Sequence, residues 1–126
     1  GYRSFETQKD LKSKYKVTYG SGANTFSAEQ GYSEHQLGTA VDFTSVSLGA
    51  VFEKFDSTTP YFWLTENAYI YGFVLSYPKD NAYYIYEPWH WRYVGVELAT
   101  KLKNEKKNFY DMDQRELSEY LVKIFD

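Results

Sequence analysis

A chain of 126 residues, 43% hydrophobic and 25% charged, fits one domain with one core and holds no apolar run near the roughly 18 residues that a membrane span requires. Its formal charge of −3 comes without a basic stripe, which argues against nucleic acid as a partner, and the KLKNEKK run reads as the solvated face of a helix. Cysteine is absent, so disulfides, thiolate ligands and cysteine nucleophiles are excluded together, and any metal falls to histidine and carboxylate.

Ser4 is placed to cap a helix over residues 5 to 15, with Phe5, Leu11 and Tyr15 near one face. The polar, glycine-bearing stretch from Tyr19 to Ser33 reads as a surface loop long enough for a functional role. Thr39 to Thr44 alternates like a strand that buries Val41 and Phe43 and turns Ala40 and Asp42 to the other face. SLGAVFEKF reads as a short helix. Thr59 as cap and Pro60 at the first helical position open another that ends near Gly72. Phe73 to Tyr77 and Tyr83 to Tyr86 are β-prone and separated by PKDNA, which predicts a hairpin. A strand begins near Trp89, and helices over about 95–107 and 114–125 close the chain, the last capped by Asp113 with Leu117, Tyr120, Leu121, Ile124 and Phe125 at helical spacing. Helices around a small antiparallel sheet make the fold class α+β.

Two histidines are present, His35 in SEHQLGTAVDF and His90 in EPWHWRYVG. Taken singly, a buried histidine or aspartate is more often a hydrogen-bonded core residue than a ligand. Gly38, however, permits a turn that folds His35 back beside Asp42, and Ala40 on the same face leaves room for an ion. Pro88 keeps Glu87 out of helical conformation and excludes the helical two-histidine arrangement of many metalloproteases, while a bend there can bring Glu87 and His90 to one pocket. Two histidines and an aspartate suffice for an open zinc site with a fourth position for water. The chemistry then lacks only a carboxylate to move the proton, and Glu87 is the candidate.

Ser33, His35, Gly38, Ala40 and Asp42 form a Ser-x-His-x-x-Gly-x-Ala-x-Asp motif, EPWHWRYVG follows it, and GYRSFETQ opens the chain. Together they resemble the zinc D-alanyl-D-alanine carboxypeptidases of the VanY type and the LdcB-type L,D-carboxypeptidases of bacterial cell walls, within a group that includes lysostaphin-like peptidases and the hedgehog signalling domain. The resemblance spans residues 1 to about 95. It implies one zinc ion on His35, Asp42 and His90, Glu87 as general base, and Arg3 on the substrate's terminal carboxylate, a role suited to the bidentate guanidinium. It further implies that Gln8 and Ser33 line the substrate pocket, that Trp89 forms a wall with Trp91 on the other flank of His90, and that Tyr32 and Tyr86 are further aromatic candidates. The chain reads as a single peptidase domain, residues 1–126, lacking the helical segment that family members carry ahead of the opening motif.

The activity so implied is zinc-dependent removal of the C-terminal D-alanine from peptidoglycan stem peptides, D,D- or L,D-specific, by a monomer in the bacterial cell envelope or secreted from the cell. Two other readings compete: a lysin-type endopeptidase cutting inside the stem or cross-bridge, which has no need of a carboxylate-binding Arg3, and a non-catalytic zinc-containing binding module, against which the complete ligand set and Glu87 argue.

Overall fold

The computed structural model describes residues 1–19, 28, 31–49 and 51–121. The Ser4 hydroxyl accepts the Thr7 N–H at 3.2 Å and caps helix α1, Phe5–Tyr19, which runs past the expected end at residue 15. Among its described side chains the buried ones are Gln8 and Lys12, whereas Phe5 is exposed. The helix thus turns a polar face inward, and Gln8 Nε2 donates to the Ala28 carbonyl at 2.8 Å. The Tyr15 side chain and most of the 19–33 loop lie outside the described residues.

Three short strands, β1 (Ala40–Asp42), β2 (Phe73–Leu75) and β3 (His90–Tyr93), form one antiparallel sheet in the order β1–β3–β2. Asp42 stands opposite His90, and Ala40 and Val74 both stand opposite Arg92. Cross-strand partners share a face, so Asp42, His90 and Arg92 point to one side, and Val41, Trp91 and Leu75 to the other. The strand at β1 is shorter than predicted and its burial is reversed: Ala40 is fully buried while Val41 and Phe43 are only half-buried. The turn carrying Glu34 and His35 covers the Ala40–Asp42 face, and that cover decides which side is interior.

The predicted hairpin between 73–77 and 83–86 does not form, because β2 pairs with β3 instead. The Asn81 side chain accepts the N–H groups of Tyr83 and Tyr84 at 2.9 and 2.7 Å, taking donors that a ladder needs, and Pro88 has none to give. Residues 76–89 therefore loop out and return, with Ser76 N–H on the His90 carbonyl and Glu87 N–H on the Tyr77 carbonyl. The helix expected over SLGAVFEKF is likewise replaced by two single 3-10 turns, Val46–Leu48 and Phe55–Ser57. Gly49, at φ 66°, ends the first and breaks the run.

Helix α2, Thr59–Asn67, is capped by Thr58, one residue earlier than read, and carries Pro60 in its first turn. A 3-10 turn, Ala68–Tyr71, continues it to Gly72 at φ 80°. A Cβ there would lie 2.7 Å from a Tyr93 ring carbon, so the position requires glycine for space as well as for conformation. Helices α3, Val96–Glu105, and α4, Gln114–Leu121, follow; residues 122–125 of the last predicted helix lie outside the described residues. Val94, Leu98, Ala99, Leu102, Phe109, Met112 and Leu117 make the main buried cluster, with Val74 and Tyr110 packed against it. The architecture is α+β, with helices flanking the sheet as expected. Among the described residues no helix is long and apolar enough to cross a membrane.

Candidate metal centre and active site

The turn from Ser33 to Gly38 is closed by Gln36 N–H on the Ser33 carbonyl and Gly38 N–H on the His35 carbonyl, with Gly38 at φ 73°. It folds His35 back so that Nε2 stands 3.3 Å from Asp42 Oδ2. The other ring nitrogen, Nδ1, lies 2.7 Å from the Gly1 carbonyl oxygen. A carbonyl only accepts, so Nδ1 carries a proton, and Nε2, which faces Asp42, is the nitrogen that would turn its lone pair to a metal. Arg3 N–H closes the same corner by donating to the His35 carbonyl at 3.0 Å.

His90 arrives from the centre of the sheet. Its Nδ1 lies 3.0 Å from Asp42 Oδ1, its ring is edge-on to that of His35 at 4.8 Å, and Tyr77 stacks flat on it at 4.6 Å. Around Pro88 the His90 N–H donates to the Glu87 carbonyl, and this bend sets Glu87 Oε2 3.9 Å from His90 Nδ1. The convergence anticipated from the two motifs is therefore present.

Among the described residues, His35, Asp42 and His90 form a group whose ligand atoms lie within 4.8 Å of one another. Donors around a tetrahedral ion at zinc distances stand about 3.3 Å apart, close to the 3.3 and 3.0 Å separations of Asp42 from the two imidazoles. Two neutral nitrogens and a carboxylate also suit zinc by chemistry. The three residues are positioned for a single metal ion.

The electrostatics of this corner divide its carboxylates. Burial opposes ionisation of Asp42, but hydrogen bonds from His35 and His90 outweigh it and hold the group below the usual carboxylate range. Glu87 goes the other way: burial, aided by the charges of Asp42 and Glu34 and opposed by His90 and Arg3, pushes it up to about 7. Burial also opposes a charged His90, yet its bonds to Asp42 and Glu34 raise it to about 9 in the metal-free protein.

These groups open on a cavity of about 240 Å³. Arg3, Gln8, Ser33, His35, Asp42, Glu87, Trp89 and His90 all line it, so these eight residues of the sequence-derived constellation meet in one place. Arg3 reaches Asp42 Oδ2 at 3.4 Å and Gln8 Oε1 at 3.3 Å, and so is anchored through side chain and backbone together. Trp89 packs beside Phe52, which lines the cavity with it, while Trp91 is buried and donates to the Pro88 carbonyl. Tyr32 is 80% exposed, and Tyr86 bonds Asp56 and Tyr61; neither lines the cavity.

Sequence reading missed Glu34, Tyr77 and Tyr84. Glu34 occupies a variable position of the first motif, but Arg92, two residues after His90 on the same strand face, was a signal that a carboxylate had to approach from outside the strand. Tyr77 and Tyr84 were hidden among fourteen tyrosines.

Residues 1–96 match the VanY family, described as D-alanyl-D-alanine carboxypeptidase. A D-alanyl-D-alanine carboxypeptidase of Enterococcus faecalis (strain ATCC 700802 / V583) is 38% identical over 118 residues, covering 83% of this chain and 42% of that protein. The solved LdcB LD-carboxypeptidase superposes with a TM-score of 0.77 at 38% identity, over 97% of this chain and 56% of that one. A mutant of the vancomycin-resistance D,D-pentapeptidase VanY, solved with Zn(II), gives 0.72 at 34% identity, over 96% and 68%. The chain spans 32–60% of the length of the curated relatives it matches. On the matched residues and the shared fold, the chain belongs to the VanY family of D-alanyl-D-alanine carboxypeptidases.

Proposed function

We propose that this chain is the catalytic part of a zinc carboxypeptidase that removes the C-terminal D-alanine from peptidoglycan stem peptides outside the bacterial cytoplasm. The observation that carries the reading is the meeting of the His35–Asp42–His90 triad, Glu87 and Arg3 around one cavity. His35 Nε2, an Asp42 carboxylate oxygen and His90 Nδ1 are the atoms that would hold the ion. Zinc, when bound, polarises a carbonyl and makes water acidic near neutral pH.

The protein's own groups supply the rest. Glu87, whose carboxyl burial pushes up to about 7 in the metal-free protein, is the group that takes a proton from the attacking water and hands it to the departing amine. Arg3 trades its contact with Asp42 for the substrate's terminal carboxylate, whose two oxygens match the guanidinium fork. Gln8 steadies Arg3 from behind. Ser33 and Trp89 contribute a polar and an aromatic wall to the pocket. An arginine aimed at a free carboxylate favours cutting at the chain end over cutting within it.

Mass spectrometry of tetrapeptide and pentapeptide stems, incubated with and without a zinc chelator, tests this. Loss of a single terminal alanine, abolished by the chelator, is the expected outcome, and the stem that is trimmed separates D,D- from L,D-specificity. Fragments arising from internal cleavage, or intact peptides after prolonged incubation with zinc-loaded protein, would overturn it.

A further inference from the structure

A glutamate between Ser33 and His35, in a turn, belongs on the surface by its chemistry. Glu34 is instead 3% exposed. Burying a carboxylate is costly unless its lone pairs are filled. Here they are filled from three separate elements. Oε1 accepts from Ser76 Oγ at 2.8 Å, Arg92 Nη1 at 2.8 Å and Tyr110 Oη at 2.6 Å. Oε2 accepts from His90 Nε2 at 2.8 Å and shares the single Ser76 hydroxyl hydrogen with Oε1, Oγ lying 2.7 Å away. Ser76 follows β2, Arg92 and His90 lie on β3, and Tyr110 lies in the turn after α3.

The last of these bonds bears on the metal centre. A carboxylate that already accepts from three other donors also accepts a hydrogen bond from Nε2, so Nε2 keeps its hydrogen and Nδ1, facing Asp42 and His35, is the nitrogen left for a metal. Ring rotation is blocked too: Tyr77 lies parallel to the imidazole at 4.6 Å, with 7° between the planes. His90 therefore offers the nitrogen opposite to the one that His35 offers, and the reason is visible in what each ring's other nitrogen touches.

We propose that Glu34 is the positioning residue of the metal centre, a buried carboxylate that fixes the ring orientation of His90 and makes Nδ1 the ligand atom. The role rests on the zinc reading above and acts through His90, without contact with substrate. Outer-shell carboxylates of this kind hold the tautomer of a ligating imidazole and raise its basicity. The arrangement also ties the turn holding Tyr110 to the ligand set, because Arg92, which bonds Glu34, lies over the Phe109 ring at 4.3 Å.

The test uses the metal-substituted protein and does not depend on turnover. In ¹⁵N-labelled wild type loaded with ¹¹³Cd, one-bond coupling is expected to Nδ1 of His90 and to Nε2 of His35. Zinc affinity, measured by competition with a chromophoric chelator, is expected to fall about 10- to 100-fold in Glu34→Ala, with partial recovery in Glu34→Gln, whose carbonyl still accepts from Nε2. Tyr110→Phe removes one donor from Glu34 without touching His90 and should leave affinity within about twofold; this separates loss of packing from loss of ligand control. Coupling to His90 Nε2 in wild type overturns the inference while the zinc reading stands. Zinc affinity in both Glu34 variants within twofold of wild type overturns it as well. Wild type that takes up neither metal overturns both.

Discussion

The two imidazoles of the centre are held in opposite ways. His35 sits in a turn, and its outer nitrogen rests on a backbone carbonyl near the start of the opening motif. His90 sits on the central strand, its outer nitrogen on a buried carboxylate that gathers Ser76, Arg92 and Tyr110. The first piece of the site also carries Arg3, hydrogen-bonded to the His35 carbonyl; the second carries Glu87, on the bend next to His90. Under the proposed function, recognition is thus attached to the locally held histidine and chemistry to the one set in the sheet. The difference teaches that two ligands of equal standing toward a metal need not be of equal standing toward the fold.

The largest effects should come from the ligands themselves. Structural zinc sites yield about 10–16 kcal/mol over four donors, so losing one should cost roughly 3–4 kcal/mol, about 10²–10³ in affinity, for His35→Ala and His90→Ala alike. Urea unfolding of the chelated proteins should then separate the pair. His90→Ala takes one of four partners from the buried Glu34 and one from Asp42 and should lose about 2–3 kcal/mol, whereas His35→Ala, which gives up the Gly1 carbonyl and a longer contact with Asp42, should lose about 1–2 kcal/mol. Equal midpoints would erase the distinction drawn above.

Glu87→Ala should lower kcat by about 10²–10⁴ with zinc content unchanged, since in the proposed function the side chain moves protons and is not among the ligands. Arg3→Ala should instead show in kcat/KM, down about 10- to 100-fold on free-ended stems and little changed on amidated ones, by loss of a charge-assisted bond. An Arg3 variant that trims free-ended peptides at full efficiency would place carboxylate recognition elsewhere.

A smaller effect is the pH dependence of the chelated protein. His90 is raised to about 9, so its contribution is full below about 6.5 and is lost as pH rises through 9. Glu87, raised to about 7, likewise favours the folded state when neutral, a contribution lost between about pH 4.5 and 7. Glu34, held at about 2 because its hydrogen bonds and Arg92 outweigh burial, works with the opposite sign: its contribution is present above about 4.5 and is lost as pH falls toward 2. The melting temperature of the chelated protein should therefore fall from mid-acid toward pH 9 and also fall below pH 4. In His90→Ala the segment of decline between 6.5 and 9 should flatten.

The sequence by itself determined which donor groups the candidate site can use. Two histidines, an aspartate beyond a glycine, a glutamate ahead of a proline and an opening arginine are residue types whose proposed roles follow from donor atoms and from motifs, and all of them line one cavity. It also determined the capped helices, because Ser4, Pro60 and Asp113 act within a turn of their own positions. Tertiary structure alone decided the rest. Strand pairing was one such case: Phe73–Leu75 prefers β3 to the segment after PKDNA, a choice made by the Asn81 side chain and by Pro88. The inward face of α1, with Gln8 and Lys12 buried and Phe5 exposed, was another. Glu34 was the third, since no local pattern distinguishes a solvated turn glutamate from one whose four donors come from residues 42 to 76 positions away. Short-range capping and donor chemistry can be read from one stretch of chain, whereas burial of a charge depends on what distant segments bring to meet it.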